Sequence, residues 1–331
     1  MSIWLLGLAI TFLTGLFITF TTTPFAAKKA GVTGVDVHKL SKPVIPEMGG
    51  LGIIIGLATA VGVSYTLMPP AGLKFAAFLF TALIAGGVGV IDDLYTLGPR
   101  IKTLLTATAC LPIFLLGTYN PHPYLPLIGP IRLTIVYPFL LPFAIAVPAN
   151  AVNMMDVLNG AMPATCSIVI GTLLICAILF NQYETATMCA ALLGCLVAFY
   201  YYNRYPARVF SGDVGSLTIG ASIGALAIIG RMEVTTIVTL LPFIMNAFYG
   251  LASVGRLYEH KEIVPRPIRL LETGQLVANT DPNAPITLTR IILAAGPLRE
   301  QEVVRNFIVL TLVSSFLALV TTVLILVRVS P

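Results

Sequence analysis

The chain has 331 residues, of which 57% are hydrophobic and only 10% charged, and its mean hydropathy is +0.94. Soluble domains carry roughly 25% charged residues, so this composition excludes a soluble globular protein. The net charge of +5 and pI near 9.0 raise nucleic acid as a partner, but the placement of the basic residues is explained better by a membrane.

Apolar stretches matching the roughly 20 residues that cross a bilayer core fall near 3–23, 47–68, 72–91, 102–119, 131–150, 161–180, 184–202, 212–230, 234–254 and 306–328. The expected fold is an all-α polytopic membrane protein of about ten transmembrane helices, with residues 1–331 forming one integral-membrane domain. Lys28, Lys29, Lys39, Lys42, Arg100, Lys102, Arg204, Arg208, Arg256, Lys261, Arg266, Arg269, Arg290, Arg299 and Arg305 fall on one face, fifteen of the nineteen basic residues. The positive-inside rule makes that face cytoplasmic, which places both termini outside and the 255–305 segment inside, over the cytoplasmic loops. The first stretch lacks a charged leader and reads as a retained helix. Cys110, Cys166, Cys176, Cys189 and Cys195 all sit in apolar spans without a C-x-x-C pattern and read as packing residues.

Acids at the mouths of apolar spans are costly to place and mark function. Pro46-Glu47-Met48-Gly49-Gly50 opens the second span, where Glu47 either complements a helix dipole or meets substrate. His38 and His260 are too isolated to be ligands. Asp92-Asp93 ends the third span, and Gly98-Pro99 turns the chain into Lys102. Adjacent acids project from different sides of a helix end, so one can face a metal or nucleophile while the other orients a cation.

Asn150 and Asn153 share a helical face if the fifth span persists that far, and their amide oxygens suit Mg²⁺; Asp156 and the turn Asn159-Gly160 follow. In Phe210-Ser211-Gly212-Asp213-Val214-Gly215-Ser216 the glycines allow a tight helix start that favours anions, where Asp213 either caps the helix or ligates a metal. Pro265-Arg266-Pro267-Ile268-Arg269 fixes two guanidinium forks suited to phosphate, and Ile268 to Ala278 around Thr273-Gly274 reads as a short hairpin. Carboxylates, amides, a lysine and two arginines on one face suit phosphoryl transfer, where catalysis is mostly positioning and electrostatics. No Walker-type string is present, which disfavours an ATP-driven pump.

The order Pro-Glu-x-x-Gly, Asp-Asp…Lys, Asn-x-x-Asn-x-x-Asp, Phe-x-Gly-Asp-x-Gly-Ser and Pro-Arg loop resembles the polyprenyl-phosphate N-acetylhexosamine-1-phosphate transferases. Lys28-Lys29-Ala30-Gly31, Asp36, Lys39, Ile45-Pro46-Glu47 and the Pro-Arg loop are closest to the dolichol-linked, tunicamycin-sensitive branch. Asp156 and Gly215-Ser216 follow the bacterial pattern, and the mixture suggests an archaeal enzyme. The resemblance implies Mg²⁺ (or Mn²⁺) held by Asn153 and Asp213 with the substrate pyrophosphate. It implies phosphate contacts from Lys102, Arg266 and Arg269, a uracil pocket lined by Asn159 and Phe210, and Asp92 as base or positioning group beside Asp93. Asp156 and Asn150 are further candidates for the reacting and substrate-binding sets, with Glu47.

The implied reaction joins UDP-N-acetylglucosamine to a polyprenyl or dolichyl phosphate, in the plasma membrane of an archaeal-type cell or the endoplasmic reticulum of a eukaryote, with a homodimer as a candidate assembly. An undecaprenyl-phosphate enzyme and a nucleotide-sugar transporter are the alternatives; the transporter is disfavoured because its polar site would lie near the midplane between repeats.

Overall fold

The computed structural model describes residues 2–255 and 265–329; Arg256, His260 and Lys261 lie outside the described residues. The chain opens with α1 (Ser2–Ala30), then β1 (Thr33–Val35) pairs antiparallel with β2 (Val44–Pro46). Helices α2 (Gly50–Leu67) and α3 (Gly72–Tyr95) follow, then the segmented pair α4 (Pro99–Ala107) and α5 (Leu111–Leu115). A small hairpin of β3 (Tyr124–Leu125) and β4 (Gly129–Pro130) leads to α6 (Tyr137–Met155), α7 (Ala161–Leu179), α8 (Tyr183–Asn203) and α9 (Gly212–Ile229). The chain continues as α10 (Glu233–Thr239), α11 (Leu241–Val254), the hairpin β5 (Ile268–Leu270) and β6 (Leu276–Ala278), α12 (Leu288–Leu293) and α13 (Glu300–Val329).

Among the described residues, eight helices are long and apolar enough to cross a membrane, and α10 with α11 makes a ninth if that bent pair is one span. The protein is a polytopic membrane protein. The α10–α11 pair bends by 67°, because Pro242 at the start of α11 has no N–H for the preceding turn and its ring crowds the carbonyl four residues back. The expected span at 102–119 is broken in the same way. A short 3₁₀ segment at Thr108–Cys110 separates α4 from α5, whose second residue is Pro112. This segment still runs the length of the bundle, from Lys102, 2.8 Å from Asp92, to Tyr119, stacked on Tyr137 at 5.7 Å.

At the centre stands α9, in which every residue from Val214 to Ile229 is buried. Lipid tails are as apolar as side chains, so membrane helices associate through close packing of small residues. A Cβ on Gly50 of α2 would lie 2.3 Å from the Cα of Gly215, and one on Gly89 of α3 2.4 Å from the Cα of Val214. Further along α9, Gly220 meets Ala149 of α6 equally closely, at 2.5 Å. These contacts clamp α2, α3 and α6 around α9, so that the end of α3, the end of α6 and the start of α9 share one end of the bundle. The five cysteines are all free and buried, as their apolar setting implies.

α6 starts six residues later than the hydropathy pattern indicates and runs to Met155, so Asn150 and Asn153 are both helical. The hairpin expected at Ile268 to Ala278 is present, with Ile268 opposite Ala278 and Gly274 at φ 78° in its turn. The β1–β2 hairpin has no counterpart in the sequence reading.

Candidate active site

The start of α9 organises the site. Gly212 takes φ 68°, which glycine accepts without a Cβ clash, and so turns Asp213 and Val214 into the first helical turn. Their N–H groups have no partner within the helix. Asp93 supplies it from α3: its Oδ1 accepts from Asp213 N–H at 2.8 Å and its Oδ2 from Val214 N–H at 3.1 Å. A carboxylate there also meets the positive end of the helix dipole.

Its neighbour Asp92 points elsewhere. Asp92 is 4% exposed, accepts the N–H of Leu97, and places Oδ2 2.8 Å from Lys102 Nζ. Lys102, 3% exposed, also lies 3.0 Å from Asp213 Oδ1. The adjacent acids therefore diverge: Asp92 holds a cation, the role expected of one of the pair, whereas Asp93 bonds the start of the facing helix. A buried ion pair gains little net stability, but removing one partner strands the other charge.

From α6, Asn153 donates through Nδ2 to the Asp213 carboxylate and to Ser216 Oγ at 2.8 Å. Asp156, just past the end of α6, accepts the hydroxyl hydrogen of Ser211. Burial pushes the Asp156 carboxyl up to about 7; the Ser211 bond opposes this, and the charges of Asp213 and Glu47 add to it. Asn150 turns away, donating to the Ala146 carbonyl of its own helix at 2.8 Å.

A cavity of about 250 Å³ is lined by Asp36, Glu47, Asp93, Asn153, Asp156, Asn159, Phe210, Ser211 and Asp213, among others. A second of about 500 Å³ shares Glu47, Asp156, Phe210 and His38 with it and extends to Asn246, Thr287, Thr289 and Arg266. Neither Asp92 nor Lys102 is on the wall of these two cavities; both stand behind Asp213. Phe210 is held by its N–H to the Pro46 carbonyl at 2.9 Å, and Gly34 leaves room for its ring, which a Cβ would approach to 3.1 Å. Arg266 reaches the larger cavity, whereas Arg269 is exposed on β5 and lines neither.

His38, too isolated in the sequence to mark a site, borders both cavities. Burial holds it down to about 4, against the raising charge of Asp36 and with Lys39 and Arg266 adding to the depression. It faces the site as a neutral imidazole. Ser211, Ser216, Thr287 and Thr289 were missed too; single hydroxyls carry no spacing signal, although Ser211 and Ser216 flank the Gly-Asp string.

Among the described residues, no cluster of three or more His, Cys, Asp or Glu side chains forms a complete metal cage. The donor set nevertheless fits a hard cation that completes its shell with substrate oxygens, as Mg²⁺ commonly does. Asp93, Asp156 and Asp213 border one small cavity with the amide of Asn153, and the Asp156 carboxyl is raised mainly by burial, with the charges of Asp213 and Glu47 adding to it.

Carboxylates, amides and a buried lysine gather at one end of an apolar helical bundle, a set of groups suited to phosphoryl transfer. Residues 75–231 match the family described as glycosyl transferase family 4. A Saccharolobus solfataricus protein, provisionally named UDP-N-acetylglucosamine–dolichyl-phosphate N-acetylglucosaminephosphotransferase, is 27% identical over 309 residues, covering 91% of this chain and 92% of that protein. A Sulfolobus acidocaldarius protein with the same provisional name is 27% identical over 326 residues, 92% of this chain and 93% of that one. The phospho-N-acetylmuramoyl-pentapeptide-transferase of Rubrobacter xylanophilus is 31% identical over 251 residues, 70% of this chain and 73% of that enzyme. The chain belongs to this glycosyl transferase family, the group of membrane-embedded sugar-phosphate transferases, and is an enzyme of that kind.

Proposed function

We propose that the protein transfers N-acetylglucosamine-1-phosphate from UDP-N-acetylglucosamine to a polyprenyl, dolichol-type phosphate, releasing UMP. The observation that carries this reading is the setting of Asp213. Its carboxylate borders the cavity, is bonded to Lys102 and Asn153, and stands on a helix start held by Asp93. Lys102 from α4 and Asn153 from α6 meet on the carboxylate, Asp93 from α3 holds the backbone beneath it, and the archaeal relatives carry the matching name.

A phosphate oxygen of the lipid attacks the sugar-bearing phosphorus, the bond from that phosphorus to the UMP oxygen breaks, and UMP leaves with the electron pair. Asp213 and Asn153 would hold Mg²⁺, with Mn²⁺ as an alternative; when bound, such an ion spreads the charge of the diphosphate. Lys102 adds positive charge beside it, and Arg266 supplies a guanidinium from the hairpin side. Asp92 positions Lys102 rather than taking a proton, because a phosphate monoester, with a second pKa of about 6, is already largely dianionic at neutral pH. Phe210 and Asn159 hold the uracil.

The segmented 99–115 region and the bent α10–α11 pair complete ten crossings in this reading, with both termini outside and the site on the basic, cytoplasmic face. Residues 265–305 cover it, and the archaeal sources of the relatives accord with a plasma membrane.

The test is turnover by purified protein in detergent with sugar-labelled UDP-N-acetylglucosamine, Mg²⁺ and either dolichyl or undecaprenyl phosphate, with EDTA and tunicamycin controls. Label should pass to lipid with release of UMP, and stop with EDTA. Label transferred only to undecaprenyl phosphate would favour the bacterial-type alternative. Uptake of the nucleotide sugar into liposomes without transfer would replace the enzyme by a transporter.

A further inference from the structure

The loop between β1 and β2 carries a charge cluster that the transfer step does not use. Lys39 Nζ lies 3.3 Å from Asp36 Oδ2, is bonded to the Glu300 carboxylate at the start of α13, and sits 4.2 Å from the centre of the Tyr205 ring. Asp36 is 3% exposed and Glu300 4%. Two carboxylates withdrawn from water need a compensating charge, and Lys39 lies between them.

Both carboxylates also grip Asn159. Glu300 Oε1 accepts its backbone N–H at 2.7 Å, and Asp36 Oδ2 accepts its side-chain Nδ2 at 2.9 Å. An ionised carboxylate can only accept hydrogen bonds, so the amide has one orientation, with NH₂ on Asp36. That leaves Oδ1, which accepts no hydrogen bond among the described residues, as the atom Asn159 offers to the cavity it lines.

We propose that Asp36, backed by Lys39 and Glu300, is a positioning residue that locks Asn159 as a pure hydrogen-bond acceptor toward the nucleobase, so that the site selects a pyrimidine with an N–H donor at ring position 3. The inference rests on the uridine-nucleotide reading above. The imide N3–H is the one donor on the pairing edge of uracil, whereas cytosine presents a lone pair at that position, which would face the lone pairs of Oδ1. Replacing Asp36 by an amide releases this lock, because an amide can either donate or accept, and Asn159 can then turn its NH₂ to the base.

The experiment measures UMP and CMP affinities of the full-length protein in detergent by titration calorimetry. Wild type should favour UMP by at least about tenfold, the factor expected when a desolvated acceptor loses its donor. Asp36→Asn should bring the ratio to within about threefold, by weakening UMP and strengthening CMP, whereas a merely structural role would weaken both nucleotides alike. Asn159→Ala, which removes the reader and leaves Asp36 with Lys39, should collapse the ratio as well, and it carries the test if Asp36→Asn does not fold. Either variant binding UMP with the wild-type preference overturns the inference. Wild type binding both nucleotides equally overturns it while sparing the sugar-transfer reading, and wild type binding neither overturns the uridine reading itself.

Discussion

The Asp93 side chain meets Asp213 at its backbone and not at its carboxylate: near the end of α3, Asp93 Oδ1 accepts the N–H of Asp213 at 2.8 Å. The acid beside the reacting position is thereby carried on a helix start that another acid holds in place. The packing beneath this joint is tight. A Cβ on Gly89 would meet Val214 Cα at 2.4 Å and the Asp213 carbonyl oxygen at 2.5 Å, whereas one on Gly87 would meet nothing within 4 Å. Gly89→Ala should cost about 1–3 kcal/mol, as forced overpacking does, and lower turnover by moving Asp93 off α9. Gly87→Ala should leave both unchanged or slightly improved. Thermal unfolding in detergent with a UMP-release assay separates the two variants.

Asp213→Ala removes the carboxylate on which Lys102 and Asn153 converge. Turnover should fall by at least about a hundredfold, in the range seen when one preorganised electrostatic contact is deleted. Near-normal rates at ordinary Mg²⁺ would remove Asp213 from the proposed metal set.

Lys102→Met strands the buried Asp92 beside the half-buried Asp213. Breaking a buried pair from one side costs about 3–5 kcal/mol, so the melting temperature should drop along with activity. Asp92→Asn should recover part of the stability when added to Lys102→Met, and a double-mutant cycle checks this.

His38 titrates at about 4, against a usual value of 6.5. Between those values the unfolded chain binds the proton and the folded protein does not, so stability falls as pH drops from about 6.5 toward 4 and is fully present above that window. Melting temperatures from pH 7 to pH 4.5 should decline less steeply in His38→Gln than in wild type.

Arg266 reaches the larger cavity while Arg269 does not. Arg266→Ala should raise KM for the nucleotide sugar by about tenfold, the cost of one charge-assisted contact, with Arg269→Ala producing a smaller effect. Equal effects from the two would place both on the substrate.

The membrane-spanning plan was legible because helix length and apolar composition are local properties, and a bilayer demands both of every span. The hairpin at Gly274 and the grouping of Asp92, Asn153 and Asp213 on one face were legible for the same reason: turn chemistry and alternation between the two ends of a bundle follow the chain. Residue roles within the clusters were not. Nothing local distinguishes Asp93, which holds a helix start, from Asp92, which holds a lysine. Asn150 and Asn153 share a helix, yet one bonds its own backbone and the other reaches Asp213.

Asp36 and Glu300 lie near opposite ends of the sequence and meet on Asn159 only because α13 packs back against the bundle beside the β1–β2 loop. The sequence by itself determined a bundle of membrane helices with acids at one end, since burying apolar runs and excluding charge from lipid leave little choice. The tertiary structure alone decided which acid pairs, which caps and which faces the cavity, because those roles depend on partners brought in by close helix contacts at glycines such as Gly50 and Gly89.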